Sequence, residues 1–221
     1  MLKRLTTYII GLLIIAVGIN VSKLSGLGIS PVSSVPRALE VVFGFSLGKM
    51  VMVIYCLLVA AQFIVLRKKF NFMNVLGIPL AIVFGFMVDL VGIDPNAFGH
   101  LLAGFPKPGC YAVRFVYLAA SIVIIGIGVY TYLKPKLVPM PAEGLALAIS
   151  TTTGKVFGDC KTAVDVSLIT LALLIQLIFL GGFSSFTGGN IVIREGTVLS
   201  ACCVGQVVKF LNKKLSAKQQ R

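Results

Sequence analysis

Charge is what this chain has least of. Charged residues make up 12 % of its 221 positions, only seven of them are Asp or Glu, and there is one His and no Trp. Soluble domains carry about 25 % charged residues, and half that amount cannot clothe a water-facing surface. The lone His100 removes His-rich metal sites, and the five cysteines (Cys56, Cys110, Cys160, Cys202, Cys203) form no CxxC pair. No metal site and no cofactor are therefore expected, because the usual His/Cys ligand sets are missing. A Walker loop, a nucleophile elbow, an HExxH helix and a glycosidase-like acid pair are all absent from the sequence. A membrane enzyme accordingly ranks last among the readings.

What fills the chain is apolar sequence, 57 % of it, with a mean hydropathy of +1.00. About 20 apolar residues cross a hydrocarbon core roughly 30 Å thick. Six such runs fall near 5–22, 48–66, 74–93, 112–133, 163–183 and 191–211. They predict an all-α membrane protein of one membrane domain. The first run follows Lys3 and Arg4 but ends at Asn20-Val21-Ser22-Lys23 without a small-x-small cleavage pattern, so it is read as a retained first helix.

The net charge of +13 reflects topology rather than nucleic-acid binding. Lys3 and Arg4, Arg67-Lys68-Lys69, and Lys209, Lys213, Lys214, Lys218 and Arg221 stand at alternate ends of six runs. All three clusters then share one face, which the positive-inside rule makes cytoplasmic, together with both termini. The expected place is a bacterial cytoplasmic membrane, with the lipid bilayer as the chief partner.

The runs also repeat. Gly18, Leu27, Pro31, Gly44 and Gly48 recur 110 positions later as Gly128, Leu137, Pro141, Gly154 and Gly158. A third apolar run closes each half, one with Gly77 and Gly85, the other with Gly196 and Gly205. Three spans per half is an odd number, so the second copy would enter the membrane from the opposite side. This predicts two inverted three-helix repeats, at 5–93 and 112–211, joined by an external linker at 94–111 and followed by a cytoplasmic tail at 212–221. Between the first two spans of each copy lies a Pro-led stretch, 31–44 and 141–154, too apolar for an open loop and too broken for a span. Proline suits the first turn of a helix, and broken backbone survives at membrane depth only when buried or lining a wet cavity. Each stretch is therefore expected to hold a short re-entrant helix, with a surface-lying amphipathic helix as the alternative, stronger for the first copy because of Arg37 and Glu40.

Ionisable groups in such a setting are costly and point to function. Glu143 follows Pro141-Ala142 at the head of the second short helix, where it can cap the helix or hold a proton, Na⁺ or a substrate ammonium. Asp165 stands four residues beyond Lys161, a spacing that shares one helix face. Asp159 marks the helix entrance, Lys49 and Ser33 supply polar groups from the first half, and Arg194 and Glu195 open the last helix. These eight residues are the expected contacts for substrate or ion. Asp89 is read as reaching across helices or to the interface.

The segments Gly26-Leu27-Gly28-Ile29-Ser30-Pro31, Pro141-Ala142-Glu143-Gly144-Leu145 through Lys161 and Asp165, and Glu195-Gly196-Thr197-Val198-Leu199 resemble the YczE/YyaS/YitT group of bacterial membrane proteins. The resemblance covers nearly the whole chain and looks closest to the YczE branch. It lacks the soluble C-terminal domain often added in YitT-like relatives. What it implies is an integral cytoplasmic-membrane protein of transporter type, with no substrate to carry over. The leading expectation is a small secondary transporter of a polar or charged metabolite, working as a homodimer and coupled to H⁺ or Na⁺, with its site between the repeats. Site residues of both signs lean toward a zwitterion or an organic anion. The competing readings are a substrate-capture subunit of a multi-component uptake system and a non-transporting scaffold for a biosynthetic pathway.

Overall fold

In the computed structural model the described residues are 2–93, 96–99, 101–102, 104–106, 108–135, 137–179 and 192–219, without the side chains of 2, 68, 72, 73, 209 and 211–219. His100, Lys107, Lys136 and the stretch 180–191 lie outside them, as does Arg221. The described residues form helices joined by turns, with no strand among them.

Among the described residues four helices are long and apolar enough to cross a membrane: α1 (Leu2–Ser25), α3 (Leu47–Leu66), α6 (Tyr111–Leu133) and α8 (Phe157–Phe179). At 1.5 Å per residue, 20 residues span about 30 Å. Two further helices are apolar over shorter lengths: α5 (Gly77–Leu90), after the single turn α4 (Phe72–Val75), and α9 (Glu195–Gln219), apolar from Glu195 to Val208. Two boundaries differ from expectation. The fifth run begins at 157 rather than 163, because Lys161 and Asp165 pair along one helix face and extend the helix instead of interrupting it. The tail expected at 212–221 is helical to Gln219, continuing α9 through its basic end.

The Pro-led stretches form α2 (Pro31–Phe43) and α7 (Pro141–Thr153), 13 residues each. Both start with proline at the first helical position. Both end at a glycine in the left-handed region, Gly44 at φ 71° and Gly154 at φ 71°. That conformation suits glycine and closes the last turn. The two helices match in length, start and cap, 110 positions apart. α2 buries Pro31, Ser33, Ser34, Val35, Pro36, Ala38 and Glu40, so it lies among other helices rather than flat on their surface. Its Ser34 hydroxyl lies 3.5 Å from the Leu168 carbonyl, halfway along α8. On α7, the Gln62 amide of α3 donates to the Pro141 carbonyl at 2.8 Å.

α1 and α6 form the central pair, and glycine lets them meet. A Cβ on Gly11 would lie 2.5 Å from the Tyr132 backbone nitrogen, and one on Gly128 would lie 2.9 Å from the Ile15 nitrogen. Small residues of this kind let membrane helices approach until backbones touch. α5 closes on α3 in the same way, where a Cβ on Gly85 would lie 2.6 Å from the Gly48 carbonyl oxygen. Asp89 fastens this contact. Its carboxyl oxygens accept from the Gly48 N–H at 2.8 Å and from the Ser46 hydroxyl at 2.7 Å, at the otherwise open N-terminus of α3. The buried Asp89 side chain thus resolves to a cross-helix cap rather than an interfacial group. Asp89→Ala strands the Gly48 N–H and the Ser46 hydroxyl away from water, a loss of about 3 kcal/mol. Thermal unfolding of the detergent-purified variant should show it as a lowered midpoint.

Candidate functional site

The chemistry collects in a cavity of about 450 Å³ bounded by α1, α2, α3, α6, α7, α8 and α9. Its lining is matched across the 110-residue offset. Ile15 and Ile19 of α1 face Ile125 and Val129 of α6, so the two helices contribute equivalent positions to the apolar wall. The head of α2 contributes Val32 and Ser33, and the head of α7 contributes the equivalent Ala142 and Glu143. Tyr55 of α3 and Asp165 of α8 are the third matched set. The cavity is therefore lined in part by pairs of residues that stand 110 positions apart in the chain.

α3 and α8 differ in what lies against them. On α3, Gly48, Val51, Met52 and Tyr55 share one face, by the i, i+3, i+4, i+7 spacing. α5 lies over that face: Gly85 comes within touching distance of Gly48 and Met52, and Phe84 stacks on Tyr55 at 5.6 Å. On α8 the equivalent positions are Gly158, Lys161, Thr162 and Asp165, and the last three line the cavity. A Cβ on Gly158 or on Gly205 of α9 would meet nothing within 4 Å. Across the gap, α9 presents Ser200, Val204 and Gly205.

The charged groups are unequally partnered. Lys161 Nζ and Asp165 Oδ1 form an ion pair at 2.5 Å, each side chain about a quarter exposed. Glu143 is half-buried at the third position of α7 and has no hydrogen bond or ion pair among the described residues. It lies within electrostatic reach of Lys161 and Asp165. The Tyr55 side chain is 2 % exposed, and its hydroxyl has no partner among the described residues. Ser33 accepts a hydrogen bond from the Ser30 hydroxyl at 3.2 Å. The lining thus holds two carboxyl groups against one ammonium. No group of three or more His, Cys, Asp or Glu side chains comes together among the described residues.

Of the eight residues expected at the site, the fold brings Glu143, Lys161, Asp165 and Ser33 to this cavity. It does not bring Lys49, Asp159, Arg194 or Glu195. Lys49 donates to the Asn96 carbonyl at 3.3 Å and sits 5.3 Å above the Phe98 ring. Asp159 is exposed in the first turn of α8. Both stand one position off the cavity face of their helices, and one residue turns a side chain by about 100°. Arg194 donates to the Gly26 carbonyl at 3.3 Å, and Glu195 accepts from the Tyr111 hydroxyl at 2.8 Å, both ahead of the stretch of α9 that borders the cavity. Tyr55 was not among the expected contacts. The signal for it was present in its seven-residue spacing from Gly48, equivalent to that of Asp165 from Gly158.

These features define an all-helical membrane protein with a partly polar internal cavity. Its residues 2–213 match the family described as a family of unknown function (DUF6198), and the chain belongs to that family. It is 27 % identical over 201 residues to the uncharacterized protein YyaS of Bacillus subtilis (strain 168), covering 91 % of this chain and 88 % of that one. The resemblance noted from the sequence segments is thereby borne out. No solved structure matches the chain.

Proposed function

We propose that this protein is a small secondary transporter of a polar or charged metabolite, built from two inverted repeats, with its site in the cavity described above. The carrying observation is the matched lining, because a cavity walled by equivalent residues of two halves is where an inverted-repeat transporter holds its substrate. The equal length and capping of α2 and α7 support the repeat, as does their burial at the heads of the cavity. In this reading α1, α3 and α5 are the spans of the first repeat, and α6, α8 and α9 those of the second. The basic clusters support an orientation with both termini on the cytoplasmic side of a bacterial cytoplasmic membrane.

Access would alternate between the α3 face, covered in this state, and the α8 face, open in it. With α5 closed on α3 at Gly48 and Gly85, α8 at Gly158 and α9 at Gly205 have open space around them. In the opposite state α9 would close on α8 and α5 would part from α3, releasing the Asp89 hydrogen bonds. Glu143, Lys161, Asp165, Tyr55 and Ser33 would contact substrate or coupling ion.

The test is a thermal-stability screen of purified protein beside Glu143→Gln. It would cover amino acids, organic acids, nucleobases, vitamins and polyamines, with and without Na⁺ and at several pH values. The expected result is a ligand that raises the wild-type midpoint, leaves the variant unmoved, and accumulates in proteoliposomes under an imposed H⁺ or Na⁺ gradient. Binding without uptake favours a capture subunit that needs a partner. A well-folded wild type that no ligand moves sinks the transporter reading and turns attention to a scaffold role.

A further inference from the structure

Resting on the transporter reading, we infer that the cavity takes an organic cation: a primary or secondary amine carried on a compact hydrocarbon body. The lysine that leaned the sequence toward an anion is engaged, since Lys161 is paired with Asp165 at 2.5 Å. What remains is Glu143, without hydrogen bond or ion pair among the described residues, at the wall of a cavity whose lining is mostly apolar. A carboxylate withdrawn from water without a partner is expensive, and the partner it lacks is a positive charge. Lys23 and Arg37 pair with Glu40 on α2, and Arg194 reaches the Gly26 carbonyl.

The chemistry of the lining separates an amine from a bare metal ion. Hard cations ask for about six oxygen ligands, and no cluster of acidic side chains that could supply them comes together among the described residues. A protonated primary amine needs three acceptors. The Glu143 carboxylate, the unpartnered Tyr55 hydroxyl and the Ser33 hydroxyl border the same space. Tyr55 also lies within electrostatic reach of Glu143. Apolar residues such as Ile15, Ile125, Val129 and Val204 would bury the hydrocarbon body. At about 450 Å³ the cavity is in the range of small-ligand sites.

The experiment titrates detergent-purified full-length protein with three probes of equal carbon length: hexylamine, hexanoate and norleucine. NaCl is compared with KCl in a fourth arm, all at neutral pH. Hexylamine should bind the wild type and weaken by roughly tenfold or more in Glu143→Gln. Lys161→Gln, which removes the competing ammonium, should tighten hexylamine severalfold. A residue that only supports the fold would not strengthen binding, so this variant keeps the test valid even if Glu143→Gln folds poorly. Preferential binding of hexanoate or norleucine overturns the amine assignment and leaves the transporter reading standing. A Glu143-dependent response to Na⁺ alone, with hexylamine silent, also overturns it by making Glu143 an ion-coupling group. If none of the probes binds and the broad ligand screen is also negative, the amine assignment and the transporter reading fall together.

Discussion

Alanine at Gly48 should cost this protein about 3 kcal/mol or more, whereas alanine at Gly158, its equivalent in the second half, should cost nothing. At Gly48 the added Cβ would lie 2.5 Å from Asp89 Oδ1 and 2.6 Å from Asp89 Cγ, besides colliding with the Gly85 carbonyl. None of these is the free end of a flexible chain. The Gly85 oxygen is backbone, and the Asp89 carboxyl is held by Ser46 and Gly48. Relief would require α5 to lift from α3, uncovering Phe84 and Val88, which are fully buried. At Gly158 the same methyl meets nothing within 4 Å. Replacing a helical glycine there should even add up to about 1 kcal/mol through backbone entropy. Thermal unfolding of the two purified variants decides the matter. Equal losses would mean that α8 is covered as tightly as α3, and the asymmetry on which the transport reading depends would be gone.

Much of this fold is legible in the sequence because membrane burial writes itself in long apolar runs. Proline and glycine mark the short helices as plainly: Pro31 and Pro141 start them, and Gly44 and Gly154 stop them. Glu143, Lys161 and Asp165 stand out because charge inside apolar sequence has few innocent explanations. Lys49 and Asp159 lie off the cavity for one reason, which is angular register. Lys49 and Asp159 occupy equivalent positions in the two halves, and both point away from the cavity, one residue past Gly48 and Gly158. The residue 110 positions before Lys161 is Val51, not Lys49. Tyr55 was hidden for the opposite reason. A buried aromatic in an apolar helix is ordinary core, and only its equivalence to Asp165 singles it out. The pairing of Asp89 with the head of α3 depends on tertiary closeness over 43 and 41 positions, which no local pattern announces.

The double variant Gly158→Ala, Gly205→Ala should fold, bind ligand and fail to transport it. Both positions have open space around an added Cβ, so the state seen here accepts the two methyl groups. Closure of α9 on α8 would not accept them if it follows the α5–α3 contact, where a Cβ at Gly48 or Gly85 collides with backbone of the facing helix. The closed state would then be penalised by about 3 kcal/mol while the open state is untouched. Such a gap reduces the population of the closed state by roughly a hundredfold. A ligand shifts a two-state equilibrium only by its differential affinity, so substrate could not restore the lost state unless it bound that state far more tightly. Measured in proteoliposomes against equilibrium binding in detergent, flux should fall by about two orders of magnitude with affinity changed less than about threefold. The converse pattern, weak binding with the flux per bound ligand unchanged, would make the two glycines part of the cavity wall alone. Full flux with full binding would mean that α8 and α9 never meet at this contact, and the inverted-repeat mechanism would need a different gate.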